Sequence, residues 1–203
     1  MIDVAHNINN LRSWMNKENL DVFIIPHQDE YLSEYLPPQN ERLHWATAFT
    51  GSAGIAIVGK DKAAIFVDGR YTVQVQEQVD KNIFEILHLV DNPYMDWVID
   101  NFSKDAKIGY DSKLNTPIWF DNVSKKLNSY NLISLDENPI DMLWDNRPSS
   151  EINKALLLSE EYSGESSESK RKRIAKQIKS SGNDSAFLSK LDSIMWLLNI
   201  RGN

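Results

Sequence analysis

The 203-residue chain contains no cysteine. Disulfides, iron–sulfur clusters, cysteine-ligated zinc and thiol nucleophiles are excluded, and a reducing compartment fits. No stretch approaches the roughly 20 consecutive apolar residues that cross a bilayer. Basic charge is scarce: 22 Lys and Arg against 29 Asp and Glu give a net charge of −7. Such a surface repels phosphate backbones, so nucleic acid is a poor partner. The opening MIDVAHNINNLRSWM has neither the basic start nor the apolar stretch of a signal peptide. These absences predict a cytoplasmic protein with no membrane and no nucleic-acid partner. The chain also lacks a G-x-S-x-G elbow, and no two of His6, His27, His44 and His88 fall at a helical ligand spacing.

The hydrophobic pattern is informative. Val4, Ile8, Leu11 and Met15 recur at helical spacing, so the chain opens with an amphipathic helix. DVFIIP (21–26) reads as a short buried strand stopped by Pro26. Residues 28–42 read as a long polar loop with one helical turn around Tyr31 to Leu36. GIAIVG (54–59) and AAIFVDG (63–69) form two strands joined by Lys60-Asp61-Lys62, a hairpin signal. RYTVQVQEQV fits a helix better than a strand, because Asp68-Gly69 makes a stop before it. Strands and helices then alternate: IFEILHL, PYMDWVIDNF, KIGYD, TPIWFDNVSKKL with Thr116 as N-cap, NLISLD, PIDMLW. This alternation predicts an α/β fold, a mixed β-sheet flanked by helices.

Beyond residue 145 the chain turns polar and serine-rich. A first domain over 1–148, a linker over 149–164 and the incomplete start of a second, similar domain over 165–203 are expected. A helix through KRKRIAKQIK, a strand at DSAFLS and an apolar segment LDSIMWLLNI follow. This end echoes the beginning. Ile174 and Ile178, then Asp184, repeat the spacing of Leu11 and Met15, then Asp21. Trp45 precedes Gly51 by the same interval that separates Trp196 from Gly202. Two copies of helix, strand and Trp-x5-Gly indicate tandem domains of one fold.

Several stretches could carry chemistry. GIAIVGKD (54–61) departs from the G-x4-G-K-[ST] phosphate loop at its last position, where Asp61 stands in place of the serine or threonine that binds magnesium, and its apolar interior suits a strand, not a cradle of amides. Gly51 and Gly54 are read instead as a structural bend or close approach before a core strand, a turn echoed at Arg201-Gly202-Asn203. HQDE (27–30) gathers a histidine and two carboxylates, more in keeping with a solvated loop than with a cation site. KRKR (170–173) follows Glu160, Glu161, Glu165 and Glu168, as suits the dipole of a solvated helix. Glu34, Arg42, Trp45, Asp68, Arg70 and Tyr71 cluster near element ends. They mark either an interface or site rim, or an internal Arg–carboxylate pair that fixes a loop.

The ordered set SEYLPPQNERLHWATAFTGSAGIAIV, AIFVDGRYTVQVQEQV and WLLNIRGN resembles the N-terminal half of long, three-domain Xaa-Pro aminopeptidases. The resemblance implies two related creatinase/prolidase-type α/β domains ahead of a C-terminal catalytic domain. That domain binds two divalent metals, usually manganese, through two aspartates, a histidine and two glutamates, for two-metal hydrolysis of the Xaa–Pro bond. None of those ligands matches a residue of this chain, so neither catalytic nor metal residues are expected within it. The implied partners are the chain's own catalytic domain, a second copy in a homodimer, and a peptide with proline at its second position. By the same resemblance Glu34 and Arg70, with Tyr71 and Trp45, are candidates for interface or active-site rim, in a region that limits access. The rival implications are a non-enzymatic peptide-binding module, or another hydrolase such as a prolidase or creatinase.

Overall fold

The computed structural model describes residues 2–150 and 153–202. The chain divides into two compact units, residues 1–148 and 149–203.

The first unit is built on a six-stranded sheet of order β4-β3-β2-β1-β5-β6. The strands are β1 (Val22–Pro26), β2 (Gly54–Gly59), β3 (Ala63–Val67), β4 (Glu85–His88), β5 (Lys107–Asp111) and β6 (Asn131–Leu135). The pairs β1–β2 and β2–β3 are antiparallel, and β3–β4, β1–β5 and β5–β6 are parallel. The mixed sheet follows from the connections: Gly59 donates its N–H to the Lys62 carbonyl (2.8 Å) across a tight turn, whereas the later strands are linked through helices.

Every residue of β1 and β3 is buried. The two faces therefore read as continuous apolar runs, but they feed separate cores. Phe23, Ile25, Val58 and Ile65 face α1 (Val4–Lys17), α2 (Arg42–Thr47), α3 (Gln74–Gln78) and α6 (Pro139–Leu143) through Leu11, Met15, Leu43, Trp45, Val75 and Ile140. Val22, Ile24, Ile57 and Phe66 face α4 (Tyr94–Asn101) and α5 (Pro117–Lys126) through Trp97, Val98 and Val123. Thr116 caps α5, its hydroxyl accepting from the Trp119 N–H at 3.1 Å ahead of Pro117.

Residues 28–42 are not organised by the expected helical turn at Tyr31–Leu36. Asp29, only 1% exposed, accepts from the N–H groups of Tyr31 (3.0 Å) and Ser33 (2.9 Å), and Leu32 takes a left-handed φ of 56°. The chain folds around a buried carboxylate instead of around a helix axis. A 3-10 turn over Pro38–Asn40 then leads into α2, a helix the polar sequence concealed. Arg42 locks α2 to α6 with a two-pronged bond to Asp141 at 2.7 and 2.9 Å, and Arg147 joins the same carboxylate at 3.0 Å.

The second unit contains β7 (Leu156–Leu157), α7 (Glu160–Ser163), α8 (Ser167–Ser180), α9 (Leu191–Leu198) and β8 (Ile200–Arg201), with β7 and β8 antiparallel. The strand expected at DSAFLS is not formed, and Phe187 is 93% exposed. An apolar run becomes a strand only beside a ladder partner, and the described residues supply none there. KRKR is not a wholly solvated face either. Lys170 is 3% exposed and donates to the Trp196 carbonyl (3.0 Å) and to Asn199 Oδ1 (2.7 Å), its ammonium 4.7 Å from the Trp196 ring centroid. The Arg173 guanidinium bonds Glu165 at 2.8 Å and lies 5.8 Å from the same ring.

The repeat has a local counterpart. Ala48 (φ 63°) ends α2 three residues after Trp45, and Asn199 (φ 52°) ends α9 three residues after Trp196. Both helices close through a left-handed C-cap before the chain extends toward its glycine. The echoed turn itself includes Asn203, which lies outside the described residues.

Candidate functional site

The sheet register brings together the first two of the quoted motifs. Pro26 lies opposite Ile55, and Gly54 opposite Val67. The residues after β1, before β2 and after β3 therefore leave the sheet at the same end. There they enclose a cleft of about 280 Å³, lined among others by His27, Glu34, Glu41, Ser52, Arg70 and Tyr71.

The turn after β3 positions two of the candidates. Asp68 Oδ1 accepts from the Arg70 N–H at 2.9 Å, which bends the chain. The Arg70 guanidinium then returns to the same carboxylate, with Nη2 2.8 Å from Oδ2 and Nε 3.2 Å from both oxygens. Hydrogen bonding from Arg70 holds the Asp68 carboxyl below its ordinary pKa, and the same bond raises that of Arg70. Arg70 also lies over the Tyr71 ring, 5.2 Å from its centroid. The Tyr71 hydroxyl and Ser52 Oγ are 2.8 Å apart. That hydrogen bond pulls the phenol below its usual pKa.

Gly51 explains how the two segments approach. A Cβ at this position would lie 2.2 Å from Phe49 Cζ and 2.8 Å from Tyr71 Cδ1. Phe49 and Tyr71 meet edge to face, 5.5 Å apart, directly over this backbone. The glycine belongs to packing, and GIAIVG is strand β2, so neither forms a phosphate cradle. Thr50 is secured beside it: its N–H donates to Gln78 Oε1 at 3.0 Å, and its hydroxyl accepts from Gln74 Nε2 at 2.9 Å.

Of the candidate residues, Glu34, Arg70 and Tyr71 line the cleft. Trp45 does not: it is 3% exposed in the core, its ring 6.4 Å from that of Trp144. Its place on the inner face of α2 removes it from any rim. Arg42 is likewise interior, committed to Asp141. Glu41 and Ser52 are not singled out by the sequence, and His27 stands out there only as part of the HQDE loop. The hairpin register was the signal that brings Ser52 and the residue after Pro26 to the same end as Arg70.

The groups gathered here can hydrogen-bond and pair with charge. Two carboxylates, an arginine, an imidazole and four hydroxyls, those of Tyr35, Thr50, Ser52 and Tyr71, surround a partly open space. Ser52 is bonded to a phenol and not to an imidazole. His27 Nε2 lies 3.3 Å from the Glu34 carbonyl, and Asp29 is spent on backbone amides. Among the described residues no three His, Cys, Asp or Glu converge as metal ligands. No described helix is long and apolar enough to cross a membrane.

Comparison with known proteins adds independent information. Residues 7–143 and residues 146–203 each match a family model described as the creatinase/prolidase N-terminal domain. A Neurospora crassa protein named "Probable Xaa-Pro aminopeptidase P" is 34% identical over 200 residues, covering 95% of this chain and 29% of its own length. A protein of the same name from Colletotrichum graminicola is 33% identical, covering 100% of this chain and 34% of its own. This chain thus spans about a third of the length of these relatives. Among solved structures, the X-prolyl aminopeptidase of Caenorhabditis elegans, a cytosolic enzyme with a di-nuclear active site, superposes with a TM-score of 0.85 at 26% identity. It covers 100% of this chain, which matches 35% of it. The Streptococcus thermophilus Xaa-Pro aminopeptidase shares the fold at 18% identity, with a TM-score of 0.54 over 70% of this chain.

Proposed function

The chain belongs to the creatinase/prolidase N-terminal domain family, and from that premise we propose that it is the non-catalytic N-terminal region of a metal-dependent Xaa-Pro aminopeptidase. The observation that carries this reading is coverage: relatives bearing that name align with nearly all of this chain, yet with only a third of their own length. The catalytic partner is then the remainder of the same polypeptide. Two divalent metals of the manganese type, when bound there, would supply the nucleophile and polarise the scissile carbonyl. The substrate is a peptide with proline at its second position, and the enzyme acts in the cytoplasm as a homodimer. We read residues 1–148 and 165–203 as a complete first domain and the start of a second, joined through 149–164.

In this reading the cleft is a rim, and its task is to restrict access. A surface carrying Glu34, Arg70 and Tyr71 can engage a peptide's polar backbone or a neighbouring protein surface without chemistry of its own. The test uses the complete protein with Glu34→Gln and Arg70→Gln. Both variants should change KM for long Xaa-Pro peptides more than kcat for a tripeptide. If both process all lengths as the unmodified protein does, the rim reading fails.

A further inference from the structure

Asp68–Gly69 is the one aspartyl- or asparaginyl-glycine step in the sequence. Glycine after an acidic residue leaves its main-chain nitrogen unshielded, so it can reach the preceding side-chain carboxyl. The fold does not itself require glycine here. Gly69 is absent from the positive-φ residues, and a Cβ on it would meet only His88 Nε2, at 3.6 Å. Gly51, in contrast, has no room for one. The Asp68 side chain is 30% exposed, which gives water access to it.

We propose that Asp68–Gly69 is a site of spontaneous aspartate isomerisation, and that Arg70 restrains the reaction. The Gly69 nitrogen attacks Asp68 Cγ. A C–N bond forms, a carboxyl C–O bond breaks, and the departing oxygen leaves as water with the nitrogen's proton. Water then adds to one carbonyl of the resulting five-membered imide, and that C–N bond breaks. Opening at the side-chain carbonyl restores aspartate. Opening at the main-chain carbonyl leaves isoaspartate, with the backbone routed through an extra methylene. Water lost is water regained, and no other reactant is needed.

Ring closure proceeds from the neutral carboxyl, because the oxygen of an ionised carboxylate is a poor leaving group. Arg70 opposes this with both its guanidinium and its backbone N–H, bonded to the carboxylate at 2.8 to 3.2 Å. The charged groups facing Asp68 are Arg70, from its own turn, and His88, from β4; both favour its ionised form. Glu34, from the loop after β1, acts on Arg70 in turn. The consequence falls on the cleft. A turn lengthened by one methylene cannot keep the Asp68–Arg70 geometry, and Arg70 and Tyr71 would leave the positions that line the mouth.

The test is incubation of the folded protein in mildly acidic buffer at growth temperature. Peptide mapping by mass spectrometry and isoaspartyl methyltransferase labelling follow residue 68. Arg70→Gln should accumulate isoaspartate there at least about threefold faster than the unmodified protein, since each pKa unit returned to Asp68 raises its neutral fraction up to tenfold. Gly69→Ala, which the structure has room for, should suppress the product in both backgrounds. In urea the unmodified protein and Arg70→Gln should converge, because the restraint exists only in the fold. Equal rates for the two folded proteins, or isoaspartate at another aspartate ahead of Asp68, would overturn the proposal.

Discussion

Replacing Gly51 by alanine isolates the contact that holds the cleft together. Gly51 does not have a positive φ. At such a position Gly→Ala ordinarily stabilises by about 0.4–1 kcal/mol, through the unfolded chain. Here the added methyl would sit 2.2 Å from Phe49 Cζ and 2.9 Å from its Cε1. Phe49 is 1% exposed and has nowhere to go, while Tyr71 is tied to Ser52. Overpacking of this kind costs about 1–3 kcal/mol. The overlap outweighs the entropic gain, so Gly51→Ala should lose about 1–2 kcal/mol. Urea unfolding followed by tryptophan fluorescence reports the right unit, because Trp14, Trp45, Trp97, Trp119 and Trp144 lie within residues 1–148 and only Trp196 lies outside. Phe49→Leu removes Cζ and both Cε atoms. In that background only the 2.8 Å approach to Tyr71 Cδ1 remains, so the alanine should cost clearly less, a coupling of about 0.5–1 kcal/mol. A Gly51→Ala protein as stable as the original, or the same loss in both backgrounds, would refute the packing account of the glycine.

Two further predictions concern ion pairs. Arg42→Met should lower stability by about 1.5–3 kcal/mol, the range of a hydrogen bond to a charged group, and not the roughly 3–5 of an orphaned buried charge, because Arg147 still reaches Asp141. An unchanged urea midpoint would show that α2 and α6 are held by their apolar contacts alone. Glu165 is held below its ordinary pKa of 4.5 by hydrogen bonds from Arg173 and then Ser169. A depressed carboxyl stabilises fully above its unfolded pKa and loses that contribution as pH falls through the lower folded value. Amide exchange in α8 should therefore be slower in the original protein than in Glu165→Gln at neutral pH, and the gap should close below pH 4.5. A gap that persists in acid would assign it to something other than this charge.

Much of the first unit could be read from periodicity and punctuation. The buried runs of β1 to β3, the Lys60–Lys62 turn and the Thr116-Pro117 start of α5 are local signals that the structure keeps. What stayed hidden depends on distant partners. α2 is stabilised by Arg42 meeting Asp141, 99 residues away, and nothing in LHWAT announces a helix. DSAFLS has the composition of a strand, but composition does not provide a neighbour. Lys170 and Arg173 read as a solvated basic tract until Trp196 is placed against them. The candidate site was legible to the same degree. Arg70 and Tyr71 stand out because they follow a buried strand, and Glu34 because of its motif. Trp45 carried the same aromatic signal, yet it serves the core. A tryptophan on a short helix faces inward or outward according to which face meets the sheet, and that is a tertiary fact.

The measurement closest to the central claim is hydrolysis of an Xaa-Pro-Xaa peptide with added manganese, by this 203-residue chain and by the complete protein that contains it. The account predicts release of the N-terminal residue by the complete protein and none by residues 1–203. Cleavage by the 203-residue chain itself, or by neither, would contradict it. The second outcome would point to a peptide-binding module in place of a peptidase.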